Sequence, residues 1–281
     1  MEAAQILGLK RIANQVRINV LQGVFRAQSG HIGGSFSVAD ILTELYFREM
    51  RVDPDDRKAP GRDRFVLSKG HCAPALYSVL ALRGYFGIDR MRDYRALGSM
   101  LQGHPDMNKV PGVEMSTGSL GQGISAAAGI ALNAKIDGAG YRVYAAVGDG
   151  ELEEGQVWEA GMFAAQYHLD NFVVIVDNNG LQIDGKIEDV MSPRPITEKF
   201  ASFGWETFEA DGHDFNSLER AFAACRRARG KPCLILAHTV KGKGVSFMEN
   251  NPAWHGTPPN PEEYERALME LMEIQAALEK M

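Results

Sequence analysis

Cysteine is scarce in this chain: Cys72, Cys225 and Cys233 are the only three, and their spacing is irregular. That excludes a disulfide framework and a zinc ribbon and points to a reducing compartment, the cytoplasm. Basic charge is also in short supply, with 30 Lys and Arg against 36 Asp and Glu and a net charge of -6. A nucleic-acid partner normally leaves a basic run or face, so none is expected. No uncharged apolar run reaches the ~18 residues that a membrane span needs. The opening stretch carries Glu2, Lys10, Arg11, Arg17 and Arg26 among its apolar residues, which fits an amphipathic helix and not a signal peptide. Internal repeats are absent, and so is any Pro/Gly/Ser linker before Met191, which makes residues 1–281 one domain. The dinucleotide fingerprint G-x-G-x-x-G and a Walker Lys-Ser/Thr are missing too, which disfavours a nicotinamide or nucleotide enzyme.

What is present is the composition of a globular enzyme, 45% apolar and 23% charged over 281 residues. Helical periodicity marks residues 10–27, 38–47, 74–82, 121–136, 153–168, 215–229 and 262–280. Between them lie short apolar runs: "RFVL", "YRVYAAV", "NFVVIV", "WETFEA" and "CLILA". Strands alternating with helices predict a doubly wound α/β fold, a mostly parallel sheet flanked by helices. Ligands bind such sheets at the carboxyl ends of the strands.

Two punctuation marks fall at those ends. Gly148-Asp149-Gly150 follows one apolar run and Asn178-Asn179 follows the next, with room between for one crossover helix and a strand. A carboxylate and a carboxamide at neighbouring strand ends suit a hard cation such as Mg²⁺. Taken singly, each motif also reads as an ordinary turn, with Asp149 capping a helix. His31, His71, His104 and His255 each sit beside Gly or Pro in a turn, where an imidazole can exchange protons with a hydroxyl or oxyanion near neutral pH. His168, His213 and His238 are set down as structural. Gly118, Gly121 and Gly123 precede an Ala-rich helix whose N-terminus could cradle an anion. Glu151, Glu153, Glu154 and Glu159 read as first-turn charges on a solvated helix face, and Lys241 and Lys243 as solvated cations.

The pairing of Gly-Asp-Gly with Asn-Asn resembles the signature of thiamine-diphosphate enzymes. "SGHIGG", "LSKGHCAP", "LQGHPD", "TGSLGQG" and "PAWHG" narrow the resemblance to the transketolase family, over nearly the whole chain. The resemblance implies the thiamine-diphosphate-binding fold, with Asp149, Asn179 and the backbone carbonyl of Leu181 holding Mg²⁺ (or Ca²⁺ or Mn²⁺) and the metal holding the diphosphate. It places His71, Gly118, Ser119, Leu120, Gly148, Gly150, Glu151 and His255 against the cofactor; many members have Pro where Ser119 stands. His31 and His104 would hydrogen-bond the donor sugar, while His71 and His255 would assist proton movement near the reacting carbon. Glu154 would join a buried carboxylate network between two cofactor sites, and the loop with Lys241 and Lys243 would pass close to the cofactor.

The likeness stops at His255 and Gly256. The resemblance therefore implies the N-terminal subunit of a split transketolase, carrying a two-carbon unit from a ketose phosphate to an aldose phosphate. Its partner would be a C-terminal subunit with the pyrimidine-binding domain, in an α2β2 assembly. The alternatives are a half of a 1-deoxyxylulose-5-phosphate synthase-like enzyme and a non-catalytic, regulatory subunit that only binds thiamine diphosphate. Four histidines speak against the latter, since a binder needs only metal and diphosphate ligands. The sugar itself is not legible, with pentose phosphates the default.

Overall fold

A computed structural model describes residues 1–281. The chain runs α1 (Ala3–Ala27), α2 (Ile32–Ser37), α3 (Ala39–Glu44), β1 (Arg64–Leu67), α4 (Ala73–Arg83), α5 (Gln122–Ile136), β2 (Val143–Gly148), α6 (Gly155–Gln166) and β3 (Phe172–Asn178). It continues with the short pair β4 (Leu181–Gln182) and β5 (Gly185–Lys186), then α7 (Ile187–Val190), α8 (Ile196–Phe203), β6 (Glu206–Asp211), α9 (Phe215–Arg227), β7 (Cys233–His238) and α10 (Pro261–Lys280). The main sheet has the order β1-β2-β3-β7-β6, and every pair in it is parallel. All five carboxyl ends therefore open on one edge.

Period-two alternation sends successive side chains to opposite faces of a strand. Here both faces are covered, so the strands read as continuous apolar runs. Tyr144, Ala146, Val173, Ile175, Cys233 and Ile235 join the larger core with α1, α3, α4 and α9. Val143, Ala145, Val147, Phe172, Val174 and Leu234 join the smaller one with α5, α6 and α8. The alanines of α5 are what allow the second layer to lie close: Ala127, Ala128, Ala131 and Ala134 are all buried against the sheet.

The ends of the helices follow their local chemistry. Asn260 and Glu263 form a reciprocal capping box at the start of α10, with Pro261 in the first turn. Gly84 closes α4 in the left-handed region at φ 101°. The predicted helices and strands all occur within a few residues of their expected bounds, except that α1 starts earlier and residues 38–47 divide into α3 and a wider turn. α2 and α8 are additions that the periodicity does not predict. Gly33 and Gly34, expected in a turn, lie inside α2. Their purpose is closeness: a Cβ at Gly33 would stand 2.8 Å from the Trp254 carbonyl oxygen, and one at Gly34 would stand 2.9 Å from Cys72 Sγ.

Candidate active site

The register of the sheet builds the first wall. Gly148 lies opposite Asp177, and Asn178 lies opposite His238, so the loops after β2, β3 and β7 leave the sheet side by side. Asp149 is buried, its Oδ1 accepting from Gly150 N at 3.0 Å and its Oδ2 from Gly180 N at 2.6 Å. Burial, reinforced by the nearby Asp177 carboxylate, pushes the Asp149 carboxyl up to about 6. Asn179 Oδ1 accepts from Leu181 N at 3.2 Å. The Leu181 carbonyl accepts from Lys241 Nζ at 3.3 Å. A carboxylate, a carboxamide and a main-chain carbonyl thus share one wall.

Behind that wall lies a buried ionic layer. Asp177 is bonded to the Lys69 ammonium and the Thr239 hydroxyl, and accepts from Ser37 Oγ at 2.6 Å. Burial opposes both charges of the Lys69–Asp177 pair, but each partner outweighs it, holding the carboxyl below and the ammonium above their ordinary values. Lys241 lacks such a carboxylate. Burial and the repulsion of Lys69 lower it to about 8, and its Nζ donates to His255 Nδ1 at 2.9 Å, which leaves the ring proton of His255 on Nε2. His213 secures the same loop from outside, its Nε2 accepting from Val240 N at 2.9 Å and its Nδ1 lying 2.7 Å from Asp40 Oδ2.

The four histidines of the Gly-flanked turns converge over this wall. Ring centroids of His31 lie 5.1 Å from His71, 5.3 Å from His255 and 6.3 Å from His104, and His71 and His255 are 5.3 Å apart. No carboxylate pairs with any of them. Burial followed by nearby cations lowers all four: His31 to about 4 by burial and Arg95, His255 to about 3 by burial and Lys241, His71 well below its usual value, and His104 more modestly. Neutral imidazoles at pH 7 can each accept a proton at one nitrogen and donate from the other. His31 Nδ1 is buried without any hydrogen-bond partner, a state that a bound polar ligand would relieve.

Together these groups enclose a cavity of about 330 Å³. Its lining contains His31, His71, His104, His255, Gly118, Leu120, Gly148, Asp149, Gly150, Glu151, Glu154, Asn179 and Leu181, every expected site residue but one. Ser119 is the exception: it is exposed and lies outside the wall. Glu151 corrects a second expectation, being buried and not on a solvated face. It accepts from Ser68 Oγ at 2.5 Å, Gly121 N at 2.9 Å and Gly148 N at 3.0 Å, tying three loops together. Since Ser68 Oγ also accepts from Ile124 N at 3.0 Å, two amides at the start of α5 are already engaged. The burial implied for Glu154 is not supplied by this chain either, for Glu154 and Glu159 are both exposed.

Lys69, Asp177 and Lys241 are the groups that sequence reasoning passes over or undervalues. Lys69 directly precedes Gly70-His71 at the end of a strand, and Asp177 closes a run of apolar residues one position before Asn178. A charge in that position is the available signal. Lys241, expected to be solvated, is buried.

Chemically, the arrangement offers hard oxygen donors at the sheet and neutral proton carriers above them. A family profile described as "Transketolase, thiamine diphosphate binding domain" matches residues 9–271. One of the two apulose-4-phosphate transketolase chains of Phocaeicola vulgatus, named as a subunit, is 43% identical over 276 residues, covering 98% of each chain. The 6-deoxy-6-sulfo-D-fructose transketolase subunit SqwG of a Clostridium species is 43% identical over 267 residues, covering 95% of this chain and 97% of its own. Human transketolase is 41% identical over 262 residues, which are 90% of this chain but 40% of the human one. The crystal structure of Campylobacter jejuni transketolase superposes with a TM-score of 0.89 at 31% identity, covering 99% of this chain and 46% of that one. The chain thus spans nearly all of the two subunits and less than half of the two longer transketolases.

Proposed function

Because this chain belongs to the transketolase family through its thiamine diphosphate binding domain, we propose that it is the N-terminal, diphosphate-binding subunit of a split transketolase. It transfers a two-carbon ketol unit from a ketose phosphate to an aldose phosphate, in the cytoplasm, as one domain over residues 1–281. The observation that carries this reading is the meeting of four neutral histidines with the oxygen donors of Asp149, Asn179 and Leu181 around one cavity.

The donor set fits a magnesium diphosphate. A buried carboxyl whose ionisation is disfavoured by a neighbouring carboxylate gains from a divalent cation, and carboxylate, carboxamide and carbonyl oxygens are the hard ligands that Mg²⁺ takes. Asp149, Asn179 and the Leu181 carbonyl would hold the metal, with Gly118, Leu120, Gly148 and Gly150 lining the diphosphate. When bound, thiamine diphosphate supplies the nucleophilic carbon and the electron sink for breaking and remaking a carbon–carbon bond. His31 and His104 orient the sugar by its hydroxyls and move protons there. His255, with its proton fixed on Nε2 by Lys241, and His71 serve the end of the cavity nearer the diphosphate. Glu154 stands at the edge, free to meet a second subunit.

The partner is a C-terminal chain with the pyrimidine-binding domain, in an α2β2 assembly. Two observations support it: this chain matches less than half of the longer transketolases, and two relatives of its own length are called subunits. Those relatives' names specify apulose 4-phosphate and 6-deoxy-6-sulfofructose, so the sugar here is a pentose phosphate or a related anionic ketose. Titration calorimetry of the chain with its partner, Mg²⁺ and thiamine diphosphate tests the assignment. Saturable binding of the cofactor that requires the metal supports it, and binding unaffected by a chelator contradicts it.

A further inference from the structure

Among the half-buried or buried arginines, one is left with its terminal nitrogens free. Arg17 and Arg62 give theirs to carboxylates, and Arg11, Arg64, Arg83 and Arg142 give theirs to main-chain carbonyls. Arg95 has a single side-chain hydrogen bond, from Nε to the Tyr94 hydroxyl at 3.1 Å. A planar guanidinium satisfied only at Nε presents a fork of free donors matched to two oxygens of one anion.

Its position is built. Arg95 occupies the left-handed region at φ 60°, which costs a non-glycine residue free energy and persists where the surroundings impose it. Its main-chain N donates to the Leu101 carbonyl at 2.7 Å, folding the loop back on itself. The guanidinium carbon lies 5.7 Å from the Tyr94 ring centroid, and on the other side it covers Gly103, where a Cβ would stand 2.5 Å from it. Gly103 directly precedes His104.

Its charge also has a direction. Of the four rings, His31 and His104 are lowered by Arg95, whereas His71 and His255 are lowered by Lys69 and Lys241. The cavity therefore has a cationic group at each end. Lys69 and Lys241 stand at the strand-end wall, and Arg95 stands beyond His104 at the opposite rim. A ketose held by His31 and His104 with its reacting carbons toward the strand ends would extend its remaining carbons toward Arg95.

We propose that Arg95 is a substrate-binding residue that takes the anionic terminal group, a phosphate or a sulfonate, of the sugar. This rests on the reading that the cavity binds a ketose, and it gives this chain a share in recognising the far end of the substrate.

The test uses the assembled two-chain enzyme with Arg95→Met and three donors differing only at the terminal carbon: fructose 6-phosphate, 6-deoxy-6-sulfofructose and fructose. Loss of charge-assisted hydrogen bonds should lower kcat/KM for both anionic donors by about 10-fold or more, while fructose changes by less than about 2-fold. Arg95→Lys should recover part of the loss, since it keeps the charge without the fork. A loss confined to one anionic donor narrows the site to phosphate or to sulfonate. An equal fall for fructose would make Arg95 a mere support of the His104 loop, and no fall for any donor would remove it from the site; either result overturns the proposal. If the wild-type enzyme transfers no ketol unit, the functional reading fails separately. Calorimetric binding of fructose 6-phosphate and fructose to the thiamine-free complex then decides Arg95, and equal affinities for wild type and Arg95→Met would refute it.

Discussion

The two sides of the cavity are built on opposite principles. At the strand ends each charged group is wired to several others: Asp177 to Lys69, Thr239 and Ser37, Glu151 to Ser68, Gly121 and Gly148, and Asp149 to Gly150 and Gly180. Among the histidines no carboxylate steadies any ring, and one buried nitrogen has no partner. The wired side is a scaffold whose geometry is fixed before anything binds. The histidine side is left unsatisfied, with protons and lone pairs free for a ligand. Pre-organised charge suits a metal diphosphate that stays; uncommitted imidazoles suit a sugar that comes and goes.

Breaking the scaffold should produce the largest effect. Lys69→Met removes one partner of a pair whose side chains are 2% and 0% exposed, stranding the Asp177 carboxylate, and should cost about 3–5 kcal/mol of stability. Chemical denaturation measures it, and a loss under about 1 kcal/mol would mean that the layer is not what holds the strand ends together.

On the other side, His104→Ala should leave the fold and cofactor affinity nearly intact while kcat/KM for the donor falls by roughly 100-fold. Cofactor affinity that fell in parallel would erase the division between scaffold and proton carriers.

A smaller effect separates the two sides by pH. An unfolded histidine titrates near 6.5, and His255 in the fold only near 3. Between those values the unfolded chain binds the extra proton, so stability contributed by a neutral His255 is complete above pH 6.5 and is lost as the pH falls toward 3. The free-energy difference between wild type and His255→Gln should therefore shift against wild type as the pH drops from 7 to 4. A difference independent of pH would mean that the ring is not held neutral.

The smallest effect belongs to Ser119, which is exposed and off the wall. Ser119→Ala should change neither cofactor affinity nor turnover by more than about 2-fold, whereas a larger change would bring that residue into the site.

The fold is legible in the sequence because the strands are buried on both faces. Val143 to Val147 and Phe172 to Val176 are continuous apolar runs, and only a parallel sheet between two helical layers hides such runs. The site is legible where a polar residue directly follows a run, as Asp149 and Asn179 do, or sits against glycine, as His31, His71 and His104 do. It is not legible where burial depends on distant segments. Lys241 looks like a solvated lysine until Leu181 and His255, from other loops, close on it. Glu151 looks like a first-turn charge until Ser68 and Gly121, distant in sequence, supply its donors. The helical placement of Gly33 and Gly34 is hidden in the same way, because the need for glycine comes from Trp254 and Cys72.

The most direct measurement of the whole account is reconstitution. The chain is purified from a host lacking its partner, freed of host transketolase, and assayed with Mg²⁺, thiamine diphosphate, xylulose 5-phosphate and ribose 5-phosphate, alone and after addition of the C-terminal subunit. The account predicts no ketol transfer by the chain alone and turnover appearing only on mixing, with the mass of an α2β2 heterotetramer by light scattering. Sustained transfer by the isolated chain would contradict it.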